Sequence, residues 1–421
     1  MLRRATFLGA LAALVATVVT ASPSVEVNMT DLALKTSHLK AWGSTTQAET
    51  THVQYSIRNG QVKSRGVNLG GWLVAENWMS TEADFWQGLS EDVKLSGEYA
   101  AITNAANWDT VHAQLEKHHA TFITEADIKA IAEAGLNTVR VPVGYWIVGF
   151  DNNDPSGKAE WSVFTKGTLK YLDVLIWDWA KKYNIAVLVD IHAAKGSQNG
   201  NDHSSPTVRG KSYWGEYSEN VENTLTMVKF LAERYRYEPA FLGIGLLNEP
   251  ALTTNEDVLY KYYEGAYKAI RATGNDCVLG VAPLLYKQDP DTMVGFMQAP
   301  QYKNVWVEWH PYFKWGYEQT SEYDLINVSV KKEYQAKVTK WQSRANHNRL
   351  FIGEWSFGTE NKFLNNKNQF YEFAEAQAKV LNQADAGWTF WSWRVSGDSV
   401  YNDWSLRSVL RDPKLKGFLL G

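Results

Sequence analysis

The sequence is poor in cysteine: Cys277 is the only one among 421 residues, so no disulfide can form within the chain. Repeats, low-complexity tracts and linkers rich in proline or serine are also missing. Stability must therefore come from a hydrophobic core, and the 45% of hydrophobic and 21% of charged residues are ordinary for a globular protein. These features predict a folded protein of one large domain or two small ones, with Cys277 as a buried strand residue.

Long runs of lysine or arginine are absent as well. The 42 basic and 46 acidic residues give a formal net charge of −4. Nothing in this balance favours electrostatic capture of nucleic acid or of an anionic membrane, and a neutral substrate fits it better. The 19 Trp and 21 Tyr residues point the same way, because an indole ring can stack on the C–H face of a sugar.

One apolar stretch, residues 7–20, approaches the length of a membrane span, and no second one follows it. Arg3 and Arg4 precede it, and the small residues Val19 and Ala21 occupy the −3 and −1 positions of a cleavage site. This pattern predicts a signal peptide at residues 1–21, since a span needs about 20 apolar residues. We expect a secreted protein, extracellular or in a cell wall, with no membrane span after cleavage.

Residues 22–62 are polar and mixed. We expect them to form an N-terminal extension, as a strand or hairpin, that packs on one end of the following domain. Asn28 and Asn327 each begin a sequon that could carry a glycan in a eukaryotic cell.

From residue 63 to 421, short apolar runs alternate with amphipathic stretches. The strands are predicted at 65–69, 138–143, 186–191, 242–247, 277–281, 305–309, 350–353 and 388–391. Helices are predicted between several of them, at 125–134, 169–183 and 221–235. Because runs such as AVLVDIH are apolar on both faces, the strands belong in a parallel sheet covered by helices. Eight such units predict an α/β protein with a (β/α)8 TIM barrel, and a doubly wound sheet is the alternative.

Polar side chains lie at or just beyond the ends of these apolar runs. They are Asn68, Arg140, His192, Asn248, Glu249, His310, Glu354 and Trp391. In a barrel, the active site gathers at the C-terminal ends of the strands. Glu249 and Glu354 end buried-type strands 4 and 7, where a carboxylate is costly unless it is paired. Glycoside hydrolysis needs two carboxylates that flank the scissile bond, and these two would face each other across the barrel mouth.

Seven motifs together carry a resemblance to a known family. They are RGVNLGGWLVAE (65–76), FITEADIKAIAEAGLNTVRVPVGYW (122–146), VDIHAAKGSQNG (189–200), GIGLLNEP (243–250), HPY (310–312), GEW (353–355) and GWTFWSW (387–393). With these motifs, the sequence resembles glycoside hydrolase family 5, and within it the fungal-type exo-β-1,3-glucanases. The resemblance runs from about residue 64 to the C-terminus.

The resemblance implies a retaining enzyme. Glu249 resembles the acid/base, Glu354 the nucleophile and Asn248 the residue that bonds the sugar 2-hydroxyl. Arg140 resembles the cation that keeps the nucleophile ionised. An acid must stay protonated until it acts, so we expect a raised pKa for Glu249.

Further residues are implied around the reacting sugar. They are His192, His310 and Tyr312 in the pocket, Glu76 at the non-reducing-end hydroxyls, and Trp391, or its neighbour Trp393, as the stacking floor. No known metal motif surrounds the two histidines, and no metal or other cofactor is expected. The expected partner is a β-glucan polysaccharide or oligosaccharide, without nucleic acid, and the expected state is a monomer.

Two positions depart from the family pattern on the leaving-group side. Asn201 follows GSQNG where fungal members often have an aromatic residue, and Trp315 stands where another clamp aromatic would be. These departures keep other readings open: an endo-β-glucanase, a β-1,6-glucanase or a transglycosylase. A carbohydrate-binding surface protein without turnover is the alternative from another class.

Three further histidines, His112, His118 and His119, cluster on a polar segment that is expected to be helical. We interpret them as a solvated face.

Overall fold

The computed structural model describes residues 51–152, 159–251 and 253–421. The described residues form one compact unit. The predicted signal peptide, residues 22–50 of the extension and the sequon at Asn28 lie outside the described residues. In the part of the chain described here, no helix is long and apolar enough to cross a membrane.

Eight parallel strands pair in chain order and close into a barrel, β8 pairing with β1. The strands are β1 Ser64–Asn68, β2 Thr138–Gly144, β3 Ala186–Ala193, β4 Phe241–Gly245, β5 Val278–Val281, β6 Val305–Trp309, β7 Arg349–Ile352 and β8 Gly387–Phe390. The predicted (β/α)8 barrel is thus confirmed, and the doubly wound alternative is wrong. β2 and β3 are buried along their whole length, as expected for strands that are covered on both faces.

Helices surround the barrel. The α-helices are Val53–Arg58, Glu91–Lys94, Glu98–Thr103, Trp108–Thr121, Glu125–Glu133, Leu169–Val174, Ala180–Lys182, Ser218–Arg234, Glu256–Ala272, Glu322–Asp324, Gln335–Gln342, Lys367–Leu381, Leu406–Val409 and Pro413–Leu420. Leu175–Trp179 and Leu325–Tyr334 are π-helical. Short 3₁₀ turns occupy Asn77–Met79, Asp84–Trp86, Tyr145–Val148, Glu160–Val163, Asp202–Ser204 and Leu285–Lys287. The three predicted helices lie within a few residues of their expected bounds.

The helix Glu125–Glu133 shows how the sequence determines the start, the buried face and the end of a helix. Thr124 and Asp127 form a capping box at its start, and Ile128 and Ile131 are its buried face. Gly135, with φ of +93°, follows its end. The left-handed conformation favours glycine there, so the chain can turn directly into β2.

The helix Val53–Arg58 lies at the end of the barrel where the strands begin. Its Ile57 is fully buried in a cluster with residues at the strand starts, among them Leu188, Leu242 and Trp306. Arg349 also donates to the Ile57 carbonyl at 2.9 Å. This part of the extension is therefore a helix, where a strand or hairpin was expected.

Ile57→Ala is expected to lower the free energy of unfolding by about 2–4 kcal/mol, because it leaves a cavity in a buried apolar cluster. Any activity per folded molecule should not change, since the active site of a barrel is expected at the opposite end, where the strands finish. Urea unfolding measures the first effect and initial rates the second. Val62→Ala, at a side chain that is 40% exposed, is the control. Equal stability of the two variants would contradict a structural role for this helix.

The interpretation of the histidine cluster as solvated is wrong for two of its members. On the helix Trp108–Thr121, His118 and His119 are 7% and 0% exposed and continue the buried face of Val111 and Leu115. Burial lowers the pKa of His118 to about 4 and that of His119 to about 3. His112 is half-buried. Cys277 is buried, as predicted.

Candidate active site

Arg140, at the middle of β2, is fully buried and anchors the group of residues at the barrel mouth. One terminal nitrogen lies 3.0 Å from Asn68 Oδ1 and 2.9 Å from Glu354 Oε1. The other donates to Asn248 Oδ1 at 2.8 Å. The guanidinium thus joins residues that follow or end β1, β4 and β7, as its position in the sequence predicted.

Glu354 follows β7 and is held at both carboxylate oxygens. Oε1 accepts from Arg140, and Oε2 accepts from the Tyr312 hydroxyl at 2.9 Å. The side chain is 4% exposed. A neighbouring guanidinium and a donated hydrogen bond both stabilise the negative charge of the carboxylate.

Glu249 follows β4 and faces Glu354. An oxygen of each carboxylate and a ring nitrogen of His310 lie within 4.8 Å of one another. The backbone of Glu249 is left-handed, with φ of +45°, a conformation that non-glycine residues adopt mainly at sites held by their surroundings. Asn199 supports it by donating to the Glu249 carbonyl at 3.2 Å.

The carboxylate of Glu249 contacts two histidines. His310 Nδ1 lies 2.9 Å from Oε1, and His203 Nε2 lies 3.6 Å from Oε2. His203 was not among the predicted residues, and its Nδ1 is buried without a hydrogen-bond partner in the described part of the chain.

The expectation that the pKa of Glu249 is raised is wrong. Burial does raise it, but the hydrogen bond and charge of His310 outweigh burial and bring the pKa of Glu249 to about 2. His310 is correspondingly basic. Burial lowers its pKa, yet the charge of Glu354 and the hydrogen bonds to Glu249 and Glu308 raise it to about 10. Both shifts favour the proton on the imidazole of this pair.

Two carboxylates inside the barrel, Asp190 and Glu308, were missed by the sequence analysis. Asp190 Oδ1 lies 2.9 Å from Arg140 Nη2, and its Oδ2 is 2.7 Å from His192 Nδ1. Each carboxylate stands two residues before a predicted histidine, in VDIH and VEWH. Because residues i and i+2 share one face of a strand, this pairing was the available signal.

Glu76 lies on the segment after β1 and is 4% exposed. Its Oε2 accepts from Trp78 Nε1 at 2.8 Å, whereas Oε1 has no hydrogen-bond partner among the described residues. Burial, followed by the charge of the nearby Asp202, raises the pKa of Glu76 well above its ordinary value. A buried carboxyl oxygen without a partner is costly, so this position suits a polar ligand.

Trp391 faces the mouth, and its neighbour Trp393 does not. The Trp391 ring lies parallel to His192, with centroids 5.4 Å apart. Gly70 makes room for it, since a Cβ there would lie 2.9 Å from the indole. Trp393 Nε1 instead donates to Asp127 of the surrounding helix layer at 2.9 Å.

Four aromatic rings form a continuous cluster beside the site, which we call the mouth aromatics: Trp78, Tyr312, Trp315 and Trp404. Trp404 lies 5.6 Å from Trp78, 5.5 Å from Tyr312 and 6.0 Å from Trp315, measured between ring centroids. Trp78 is 40% and Trp315 60% exposed. The cluster connects Glu76 to Glu354, because Trp78 bonds the first and Tyr312 the second.

Glu249, His310 and Glu354 have the donor atoms of a possible metal site, all within 4.8 Å. Two of these groups already have strong partners, Arg140 on Glu354 and Glu308 on His310. The expectation of no metal and no other cofactor stays a prediction.

Comparison with known proteins places this geometry in a family. The model of the Cellulase family (glycosyl hydrolase family 5) matches residues 99–397. A glucan 1,3-beta-glucosidase of Blumeria graminis is 31% identical over 394 residues, covering 83% of this chain and 85% of that protein. One of Schwanniomyces occidentalis is 30% identical over 388 residues, covering 83% and 86%.

Solved structures with the same fold are more distant in sequence. A rutinosidase from Aspergillus niger superposes with a TM-score of 0.66 at 17% identity, covering 85% of this chain and 98% of that one. An endoglucanase of Thermotoga maritima gives 0.55 at 18% identity, covering 87% and 99%. At such identity the likeness concerns the fold alone. Fold, family match and curated relatives agree: the chain belongs to glycosyl hydrolase family 5, and it is a glycoside hydrolase.

Proposed function

We propose that the protein is a retaining exo-β-1,3-glucanase that releases glucose from the non-reducing end of β-1,3-glucan. The observation that carries the proposal is the pair of opposed carboxylates with different partners. Glu354 has a cation and a hydroxyl donor, and Glu249 has a histidine. Two carboxylates with such different surroundings suit two different roles in one reaction.

The separation of the carboxylates supports retention. An oxygen of Glu249 and one of Glu354 lie within 4.8 Å of each other. Retaining glycosidases hold their carboxyl groups about 5–5.5 Å apart, whereas inverting enzymes leave about 6.5–9.5 Å for a water molecule.

In the proposed mechanism, Glu354 attacks the anomeric carbon as the bond to the leaving oxygen breaks. Glu249 receives a proton from His310 and then gives it to that leaving oxygen. Water then attacks the glycosyl ester, and Glu249 takes the proton of this water. Both steps proceed with inversion, so the product keeps the β configuration.

Asn248 and Arg140 prepare the site for this charge movement. Asn248 Oδ1 is fixed by Arg140, and its Nδ2 is buried without a partner in the described residues, free to donate to a sugar hydroxyl. Arg140 fixes the position of Glu354 through the contact of Nη1 with Oε1. His192 and Trp391, stacked on each other, would form the wall and floor beneath the reacting sugar.

The substrate assignment rests on the relatives named glucan 1,3-beta-glucosidase and on Glu76. Its unpartnered Oε1 suits hydroxyls at the non-reducing end of a chain. The mouth aromatics would bind further glucosyl units, since their exposed rings can stack on sugars. The leader-like residues 1–21 are the reason to propose secretion, and the protein is proposed to act as a monomer.

Product analysis tests the proposal. The protein is incubated with laminarin, cellulose and pustulan, and the anomers are followed by NMR from the first minutes. We expect glucose as the sole early product, from laminarin only, as the β-anomer. The α-anomer first would overturn the retaining mechanism. Early oligosaccharides from laminarin would favour an endo-acting enzyme, and glucose from pustulan would favour a β-1,6-glucanase.

A further inference from the structure

Glu308, on β6, lies between the two halves of the candidate site. It is 3% exposed, and its Oε1 is 2.9 Å from Arg140 Nε and 3.1 Å from His310 Nε2. Arg140 reaches Glu354, and His310 reaches Glu249. One carboxylate oxygen thus supports the partners of both candidate catalytic residues, although Glu308 itself bonds neither of them.

The barrel is built to hold this carboxylate. A Cβ added at Gly353 would lie 1.9 Å from Glu308 Oε1, and one at Gly280 would lie 2.9 Å from Oε2. A Cβ at Gly245 would lie 3.5 Å from the same oxygen. Glycines on or next to β4, β5 and β7 therefore leave a recess for the Glu308 carboxylate, and Asp190 Oδ1 of β3 lies against the same recess, 2.9 Å from the position of a Cβ at Gly245.

While Glu249 and Glu308 are both ionised, His310 bonds the two carboxylates, at 2.9 and 3.1 Å, with a proton on each ring nitrogen. Other charged groups face it too: Glu354 Oε2 is 3.7 Å from Nδ1, and the charges of Asp190 and Arg140 lie in the same network. Four carboxylates thus face one imidazolium and one guanidinium.

We propose that Glu308 is a positioning residue for the proposed hydrolysis: by holding the Nε2 proton of His310, it keeps the working proton on Nδ1, beside Glu249. The inference rests on the proposed function. When a substrate binds, the Nδ1 proton passes to Glu249 Oε1, and the imidazole becomes neutral with its remaining proton still bonded to Glu308. The leaving oxygen then takes the proton from Glu249 while Glu354 supplies the electron pair to the anomeric carbon.

The pKa shifts of His310 and Glu308 support this sequence of proton transfers. The pKa of His310 is raised to about 10 although burial lowers it, and Glu308 is one of the groups responsible. Glu308 itself stays ionised: burial raises its pKa, but Arg140 and His310 outweigh burial and hold it below the ordinary value.

Glu308→Gln tests the proposal through the pH dependence of kcat/KM on laminaribiose. The basic limb reports loss of the shared proton from the free enzyme. Without the charge at position 308, His310 holds this proton less tightly, so the basic limb should move to lower pH by about one unit or more. Glu308→Asp, which restores the charge, should move it back toward the parent.

A second measurement separates a loss of proton supply from a general loss of active-site structure. A 2,4-dinitrophenyl β-glucoside has a leaving group that needs no proton, so Glu308→Gln should lose about tenfold less activity on it than on laminaribiose. Asp173→Asn is the matched control, a carboxylate 4% exposed that binds Arg234 in the helix layer. It should reduce stability without moving the basic limb.

Three results would overturn the inference: an unmoved basic limb in Glu308→Gln, equal losses on both substrates, or a neutral His310 at pH 7 in the parent. The last is measured by imidazole ¹⁵N NMR with a His310→Gln spectrum for assignment, and it needs no folded Glu308 variant. Failure of the proposed function would be distinct, because the parent itself would then hydrolyse no laminaribiose.

Discussion

Glu354→Gln should lower kcat/KM on laminarin by at least about 10⁴-fold, because the amide cannot form the glycosyl ester. The loss should be the same for substrates with good and poor leaving groups, since the attacking group is missing in every case. Initial rates with laminarin and with the dinitrophenyl glucoside measure this. The side chain is nearly isosteric, and it keeps a carbonyl oxygen that can accept from Arg140, so the fold should persist.

The counterpart at Glu249 makes the assignment of roles falsifiable. Glu249→Ala should lose little on the dinitrophenyl glucoside in its first step, and azide should restore turnover by attacking the glycosyl enzyme. The product should be β-glucosyl azide. Azide added to Glu354→Ala should instead give the α-azide, by direct displacement. If the two variants gave the opposite azides, the acid/base and the nucleophile would have to be exchanged.

Arg140→Met is expected to have the largest effect on stability. It leaves Asp190, Glu308 and Glu354 buried without their shared cation, and removal of one partner from a buried ion pair costs about 3–5 kcal/mol. Activity should fall as well, because Glu354 loses its partner. Urea unfolding with circular dichroism measures the stability, and initial rates measure the activity.

The loss of stability in Arg140→Met should depend on pH in a defined direction. In the parent, burial already raises the pKa of Asp190 to about 7, although Arg140 lowers it. Without Arg140 this pKa rises further, so the folded variant binds more protons than the unfolded chain. In both proteins this contribution to stability is lost as the pH rises, but the loss ends near pH 7 in the parent and continues above pH 7 in the variant, so the stability deficit of the variant grows above pH 7. A difference in the free energy of unfolding between parent and Arg140→Met that becomes smaller from pH 5 to pH 8.5 would contradict this account.

Arg140→Lys separates charge from shape. A lysine restores one positive charge. Its ammonium group cannot contact all three carboxylates and both amide oxygens that the planar guanidinium of Arg140 contacts. We expect it to recover part of the stability and little of the activity. Full recovery of both would mean that charge alone matters at this position.

The barrel was predictable because its strands are buried on both faces and therefore read as apolar runs that end in polar residues. Arg140, Asn248 and Glu354 were found in this way, and the structure brings them together. Their catalytic roles stay predictions. Asp190 and Glu308 were not found, because a carboxylate within an apolar strand shows its purpose only when the partner strands surround it.

The protonation of Glu249 could not be read from the sequence. A buried carboxylate near a second one predicts a raised pKa, and this is correct for burial alone. The pKa of Glu249 is lowered instead, because three carboxylates on or next to β4, β6 and β7 make His310 basic. By contrast, the burial of His118 was readable, since Val111, Leu115 and His118 follow helical spacing along one face.

The helix at the start of the strands has a practical consequence for handling the protein. Residues 53–58 lie against the end of the barrel opposite to the candidate catalytic carboxylates. A support attached through a residue introduced beside this helix would therefore hold the molecule with its mouth directed outward. Immobilised in this orientation, the enzyme should keep access to insoluble polysaccharide, whereas attachment near the exposed Trp315 would cover the entrance.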